Sequence, residues 1–197
     1  PVYERVIALL PNEPAPRCNL AELLAVLDRV DDARVQIASA AALAPADPHI
    51  YLAEAVVRLA NRRPTAAEEA ARRAVASGIL PKFAYHNLGD ALLAQGKTNE
   101  ALAAYRTARQ HCVPEDLRTM RQDLDWLATV YPTLPKATYQ QALAIFTAEG
   151  ARGPTTKVST RTATPSATAR APRMKTGTYG SIGRPRQRAS GPASVSV

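Results

Sequence analysis

The chain has 197 residues, enough for one ordinary domain with an appendage, and only 5% of them are aromatic. Alanine is abundant, which suits closely packed helices better than a sandwich or barrel. The net charge of +8 is unevenly placed: residues 151–197 hold nine of the 25 basic residues and none of the 17 acidic ones. The first 150 residues are therefore close to neutral, which excludes a nucleic-acid-binding fold argued from overall charge alone. No apolar run reaches the length of a membrane span. Cys18 and Cys112 are too few and too far apart for a disulfide scaffold or a metal-ligand motif, and are expected to be reduced, packed thiols. The chain starts at Pro1, partway through a structural unit, so the absence of a signal peptide leaves the compartment open, with the cytoplasm favoured.

A 34-residue period organises the first two thirds of the chain. Tyr3, Ile37, Ala71 and Tyr105 form one column, and Val6, Ala40, Ala74 and Ala108 a second. Ala33, Ala67 and Ala101 form a third, and Ala21, Ala55 and Gly89 a fourth. In chain order, residues 1–13 read as the second helix of a preceding unit whose first helix is missing, so the chain is expected to be part of a longer array. Residues 14–47 form the first whole unit, with Leu20-Ala21, Leu24, Ala33, Ile37, Ala40 and Pro45. Residues 48–81 form a second with a degenerate first helix: its apolar stripe is Leu52, Ala55, Val56 and Leu59, leaving Glu54 and Arg58 as an exposed i,i+4 pair. Residues 82–115 carry the fullest pattern: Tyr85, Leu88-Gly89, Leu92, Ala101, Tyr105, Ala108 and Pro114. Gly89 and Ala101 are small so that two helices approach, while Leu88, Leu92 and Tyr105 fill the space between them. Gly96 ends one helix and Thr98 with Glu100 begins the next.

After Pro114 the period is lost. Leu117, Met120, Leu124 and Leu127 make a helical stripe, and Tyr139, Leu143 and Phe146 mark a last helix beyond the Pro132–Pro135 break. Residues 116–149 are read as capping helices. From 150 to 197 the composition becomes Thr, Ser, Ala, Pro, Gly and Arg without one Leu, Phe or Trp, and this basic tail is expected to be disordered. Lys175, Arg184, Arg186 and Arg188 suggest a weak electrostatic tether for an acidic partner or nucleic acid, and Ser190 follows a basic pair that suits a kinase.

The unit 82–115 resembles the tetratricopeptide repeat (TPR), with Leu92 where tyrosine is usual and the closing proline displaced by one position. The resemblance implies an all-α solenoid of helical hairpins, a right-handed superhelix whose first helices line a concave groove. Carried over by position, the groove would present Cys18, Asn19, Glu22, Leu52, Val56, Leu59, His86, Asn87, Asp90 and Leu93. Such a surface takes a peptide with apolar anchors and a basic group. On that reading Asn87→Ala or Leu93→Glu would weaken peptide binding without unfolding the array. The runs Asn19-Leu20-Ala21 and Asn87-Leu88-Gly89 are also similar to the repeats of O-linked N-acetylglucosamine transferases, where an asparagine ladder clamps a bound backbone. Ala53 interrupts that ladder here. Cys18, Glu22 and Asn87 occupy positions where a chaperone-tail clamp needs other groups.

The histidines at 49, 86 and 111 lack a ligand partner at metal spacing, and no phosphate loop, dinucleotide fingerprint or nucleophile elbow is present. The sequence therefore reads as a protein-interaction scaffold for a polypeptide, with no catalytic residue, metal or cofactor expected. The alternatives are the substrate-docking segment of a larger enzyme such as a glycosyltransferase, and a nucleic-acid-associated adaptor acting through the basic tail.

Overall fold

The computed structural model describes residues 2–147; the expectations for 150–197 lie outside the described residues. Among the described residues the chain is all-helical, with nine helices and no strand. They are α1 (Val2–Leu9), α2 (Ala15–Val26), α3 (Val30–Leu43), α4 (Pro48–Ala60) and α5 (Pro64–Ser77). There follow α6 (Pro81–Ala94), α7 (Thr98–Gln110), α8 (Asp116–Val130) and α9 (Lys136–Ile145). None is long and apolar enough to cross a membrane.

α5 packs on α6 as extensively as α2 packs on α3, and three hairpin pairs organise the chain: α2 with α3, α4 with α5, and α6 with α7. Each is joined by three residues, and each joint has the same hydrogen bonds one period apart. The amides of Arg29, Arg63 and Lys97 bond to the carbonyls of Leu24, Arg58 and Leu92 at 2.8, 2.9 and 3.0 Å. The amides of Asp28, Arg62 and Gly96 bond to the carbonyls of Ala25, Leu59 and Leu93. This is the Schellman ending of a helix, and it needs a left-handed residue after the last turn. Asp28, Arg62 and Gly96 supply it, with φ of 60°, 53° and 76°. The following helix starts identically each time, with the amides of Ala33, Ala67 and Ala101 on the carbonyls of Arg29, Arg63 and Lys97. The 34-residue period is thus a period of backbone geometry, not only of side chains. Thr98 does open α7, but its hydroxyl lies 3.3 Å from the Thr138 hydroxyl and caps no amide of its own helix.

Only glycine takes the left-handed region without a Cβ penalty. Nothing lies within 4 Å of a Cβ placed on Gly96, so Gly96→Ala is expected to cost only the backbone strain, about 1 kcal/mol. Arg62→Gly at the equivalent joint is expected to stabilise by a few tenths to about 1 kcal/mol. Chemical denaturation of both variants checks the opposite signs.

The small columns are where the pairs meet. Ala21, Ala55, Ala33, Ala67, Ala101, Ala40 and Ala108 are all fully buried. The first helices also touch one another, α2 against α4 and α4 against α6, whereas the second helices make no more than grazing contact among themselves. α2, α4 and α6 thus form one layer of touching helices, the inner layer. In the unit 48–81, Leu52, Ala55 and Leu59 are buried as the stripe demands. Glu54 and Arg58 do pair, at 2.6 Å, but both are half-buried rather than exposed.

At the C-terminal end the stacking changes. α4 packs on α3, and α6 packs on α5, so each new first helix normally sits against the preceding second helix. α8 does not take that place against α7. It lies on α6 and reaches α4, while α9 packs on α7. Leu117, Met120, Leu124, Leu127 and Phe146 are buried in the same core as Leu59, Leu92, Leu93 and Tyr105. The half-buried Trp126 packs against that core. α1 packs on α2 and buries none of its residues.

Candidate functional site

The surface that the tetratricopeptide resemblance assigns to a groove is the inner layer, and its two ends differ. On α2, Asn19 is exposed and Glu22 half-buried; on α4, Val56 is half-buried. These three candidates remain at the surface. Cys18 is buried against Ala40, Ile50 and Ala53, and burial first, then the nearby Glu22 and Asp47, push its thiol up to about 12. It is a core thiol and carries no accessible chemistry at neutral pH. Leu52 is buried with Ala74 and Ala84. Leu59 is buried in the main core.

The candidates on α6 are not at the surface. His86, Asp90 and Leu93 are 1%, 3% and 0% exposed, because α8 and α9 cover them. This corrects the sequence expectation that all three face an open groove. Leu93→Glu, expected from the sequence to affect binding alone, would place a carboxylate in a sealed apolar core and unfold α6. Asn87 is likewise spoken for: its Nδ2 donates to the Leu52 carbonyl of α4 at 3.2 Å. The asparagine that resembles a ladder rung therefore ties two first helices together.

Beneath α8 and α9 lies a polar cluster that the periodicity only half revealed. Tyr105 Oη donates to Asp90 Oδ1 at 2.7 Å. Asp90 Oδ2 lies 3.3 Å from His86 Nδ1, and His86 Nε2 lies 3.1 Å from the carbonyl of Met120 on α8. The imidazole packs between the rings of Tyr105 and Phe146, with centroids 5.5 and 5.3 Å away. Both ring nitrogens face acceptors, so the doubly protonated ring satisfies the arrangement and either neutral tautomer leaves a lone pair facing an oxygen. Burial pushes the His86 pKa down, but the Asp90 carboxylate, Asp123 and the Met120 carbonyl outweigh it and hold it above the ordinary value. The Tyr105 phenol is held well above its usual range by burial and by Asp90.

In the preceding unit the equivalent positions are Leu52, Ala55, Val56 and Ala71, against His86, Gly89, Asp90 and Tyr105 here. One unit has exchanged an apolar set for a buried triad. The carry-over by position put His86 and Asp90 on one surface, but Tyr105, Met120 and Phe146 went unseen as their partners. Two further ties hold α8. Lys82 Nζ meets Asp116 Oδ1 at 2.6 Å, and Tyr131 Oη donates to the Leu59 carbonyl at 3.0 Å.

A second buried carboxylate, Glu68 on α5, accepts from Lys97, Gln95 and Arg72 at 2.8 Å each. Burial alone would raise its pKa, yet these donors hold it at about 2. It joins α5 to the joint between α6 and α7, a structural bond between neighbouring units. No group of histidine, cysteine and carboxylates fit to hold a metal occurs among the described residues. No protein-family model matches the chain, and no curated protein does either, so the functional reading rests on the geometry of the inner layer.

Proposed function

We propose that the chain is a tetratricopeptide-type scaffold that binds a polypeptide on the inner layer of its helical pairs. The observation that carries this reading is the threefold recurrence, at 34-residue steps, of one joint geometry together with an inner layer of touching first helices. A stack of this kind presents a long, curved surface built from successive units, and such surfaces suit extended or helical chains. The exposed part of that surface is on α2 and α4, where Asn19, Glu22 and Val56 offer an amide, a carboxylate and an apolar contact. A ligand with an apolar anchor and a basic side chain matches them.

A library of immobilised peptides probed with the whole chain tests the reading. Peptides pairing an apolar residue with lysine or arginine are expected to bind. Glu22→Lys is expected to weaken that binding at least about fivefold, or roughly 1 kcal/mol, with unchanged helix content by circular dichroism. Absence of any peptide above background would remove the proposal.

A further inference from the structure

We propose that the inner face of α4 and α6 is a helix-docking surface occupied by the chain's own α8, which a partner's amphipathic helix displaces. The proposal rests on the scaffold reading above and adds a second seat, for a helix, on the same inner layer. Three observations carry it.

First, α8 has left the position that the stack offers it. The two earlier junctions place the next first helix against the preceding second helix, and here α9 takes that contact while α8 lies across the inner layer. Second, α8 has the make-up of a ligand helix. Leu117, Met120, Leu124 and Leu127 are buried on one stripe, while Arg118, Arg121, Gln122, Asp125 and Thr129 are exposed on the other side. Its seat is marked at three levels, by Lys82 on Asp116, His86 on the Met120 carbonyl, and the Leu59 carbonyl under Tyr131. Apolar anchors at helical spacing laid into a groove are a recurrent mode of peptide recognition. Third, the receiving face spends stability on polarity. A buried His–Asp–Tyr set adds little over apolar packing of the same volume, and such sets can instead select among alternatives. Here His86 meets a main-chain carbonyl of α8, which any helix in that register offers, while Lys82 meets the Asp116 carboxylate.

The expected partner helix therefore carries apolar residues at i, i+3, i+7 and i+10 with a carboxylate one residue before the first of them, to meet Lys82. Because α8 is tethered, it competes at an effective concentration on the order of millimolar, so the intact chain resists free peptides.

The test uses the whole chain and a fluorescein-labelled peptide spanning residues 114–131 as the probe. Met120→Asp with Leu124→Asp unseats α8 and leaves α4 and α6 unaltered. The double variant is expected to bind the probe in fluorescence anisotropy at least about tenfold more tightly than the wild type. Lys82→Glu in that background is expected to weaken the probe again. Hydrogen exchange is expected to show loss of protection in α8 and α9 and its retention in α2–α7. Failure of the variant to bind, equal binding by the wild type, or loss of protection throughout α2–α7 would each overturn the proposal, the last by making α8 an integral part of the core. If library peptides still bind the wild type while the probe fails, the scaffold reading survives alone; if neither binds, both fall.

Discussion

Gly89→Ala is expected to destabilise the chain by about 3 kcal/mol, or about 10 °C in the melting temperature. A Cβ at Gly89 would stand 2.4 and 2.5 Å from two Tyr105 ring carbons and 2.9 Å from a third. The ring cannot retreat. It is fully buried, its hydroxyl is bonded to Asp90, and Phe146 meets it edge-on at 5.8 Å. Alanine recovers about 1 kcal/mol of helix propensity, which does not offset a displaced core ring. The other units show the remedy, since they pair Ala21 with Ile37 and Ala55 with Ala71. In a Tyr105→Leu background, Gly89→Ala is expected to be neutral or stabilising. Urea unfolding of the four members of this cycle measures the coupling, and equal costs in both backgrounds would contradict it. Arrays can unfold in parts, so hydrogen exchange should confirm that the loss begins in α6 and α7.

Removing the carboxylate of the buried triad is expected to be at least as damaging. Asp90→Ala leaves the Tyr105 hydroxyl and His86 Nδ1 without their acceptor in a sealed site, at a cost of about 3–5 kcal/mol. Replacing all three together, His86→Leu with Asp90→Val and Tyr105→Phe, is expected to cost little or to stabilise, as for other buried ion pairs exchanged for apolar groups. The triad also sets a pH dependence. His86 has a higher pKa folded than its unfolded 6.5, so its contribution is complete below pH 6.5 and is lost as pH rises through the folded value. The wild type is therefore expected to lose stability on the alkaline side, with α8 and α9 loosening first. The triple apolar variant is expected to lose that dependence, which thermal melts across pH 6–10 would show.

The regular part of this fold was legible because it repeats. Ala21, Ala55 and Gly89 announce close approach of helices, and the lengths of the pairs follow from Pro, Gly and the apolar stripes. The stripe of Leu117, Met120, Leu124 and Leu127 likewise foretold a helix with one buried face. What no period reveals is which surface that stripe covers, since a stripe has the same residues whether it caps the end of a stack or lies along its inside. The placement turned on single long-range pairs, Lys82 with Asp116 and His86 with Met120. Each is 34 residues apart, yet neither partner beyond Pro114 resembles its counterpart in an earlier unit. Of the residues carried over to the groove, Asn19 is exposed and Glu22 and Val56 half-buried, whereas Cys18, Leu52, Leu59, His86, Asn87, Asp90 and Leu93 are buried. The left-handed joints at Asp28 and Arg62 also escaped notice, because only Gly96 carries the residue type that marks them.

Cys18 gives the molecule a built-in timer. Its sulfur sits between the first two helical pairs, so a thiol reagent reaches it only when those pairs part, and alkylation at neutral pH counts those openings. The half-buried Cys112, whose thiol donates to the Ala108 carbonyl at 3.3 Å, lies in the connection from α7 into α8. Two cysteines at opposite ends of one stack thus report separately on its two ends, and the ratio of their labelling rates tells whether the stack frays from one side or yields as a whole.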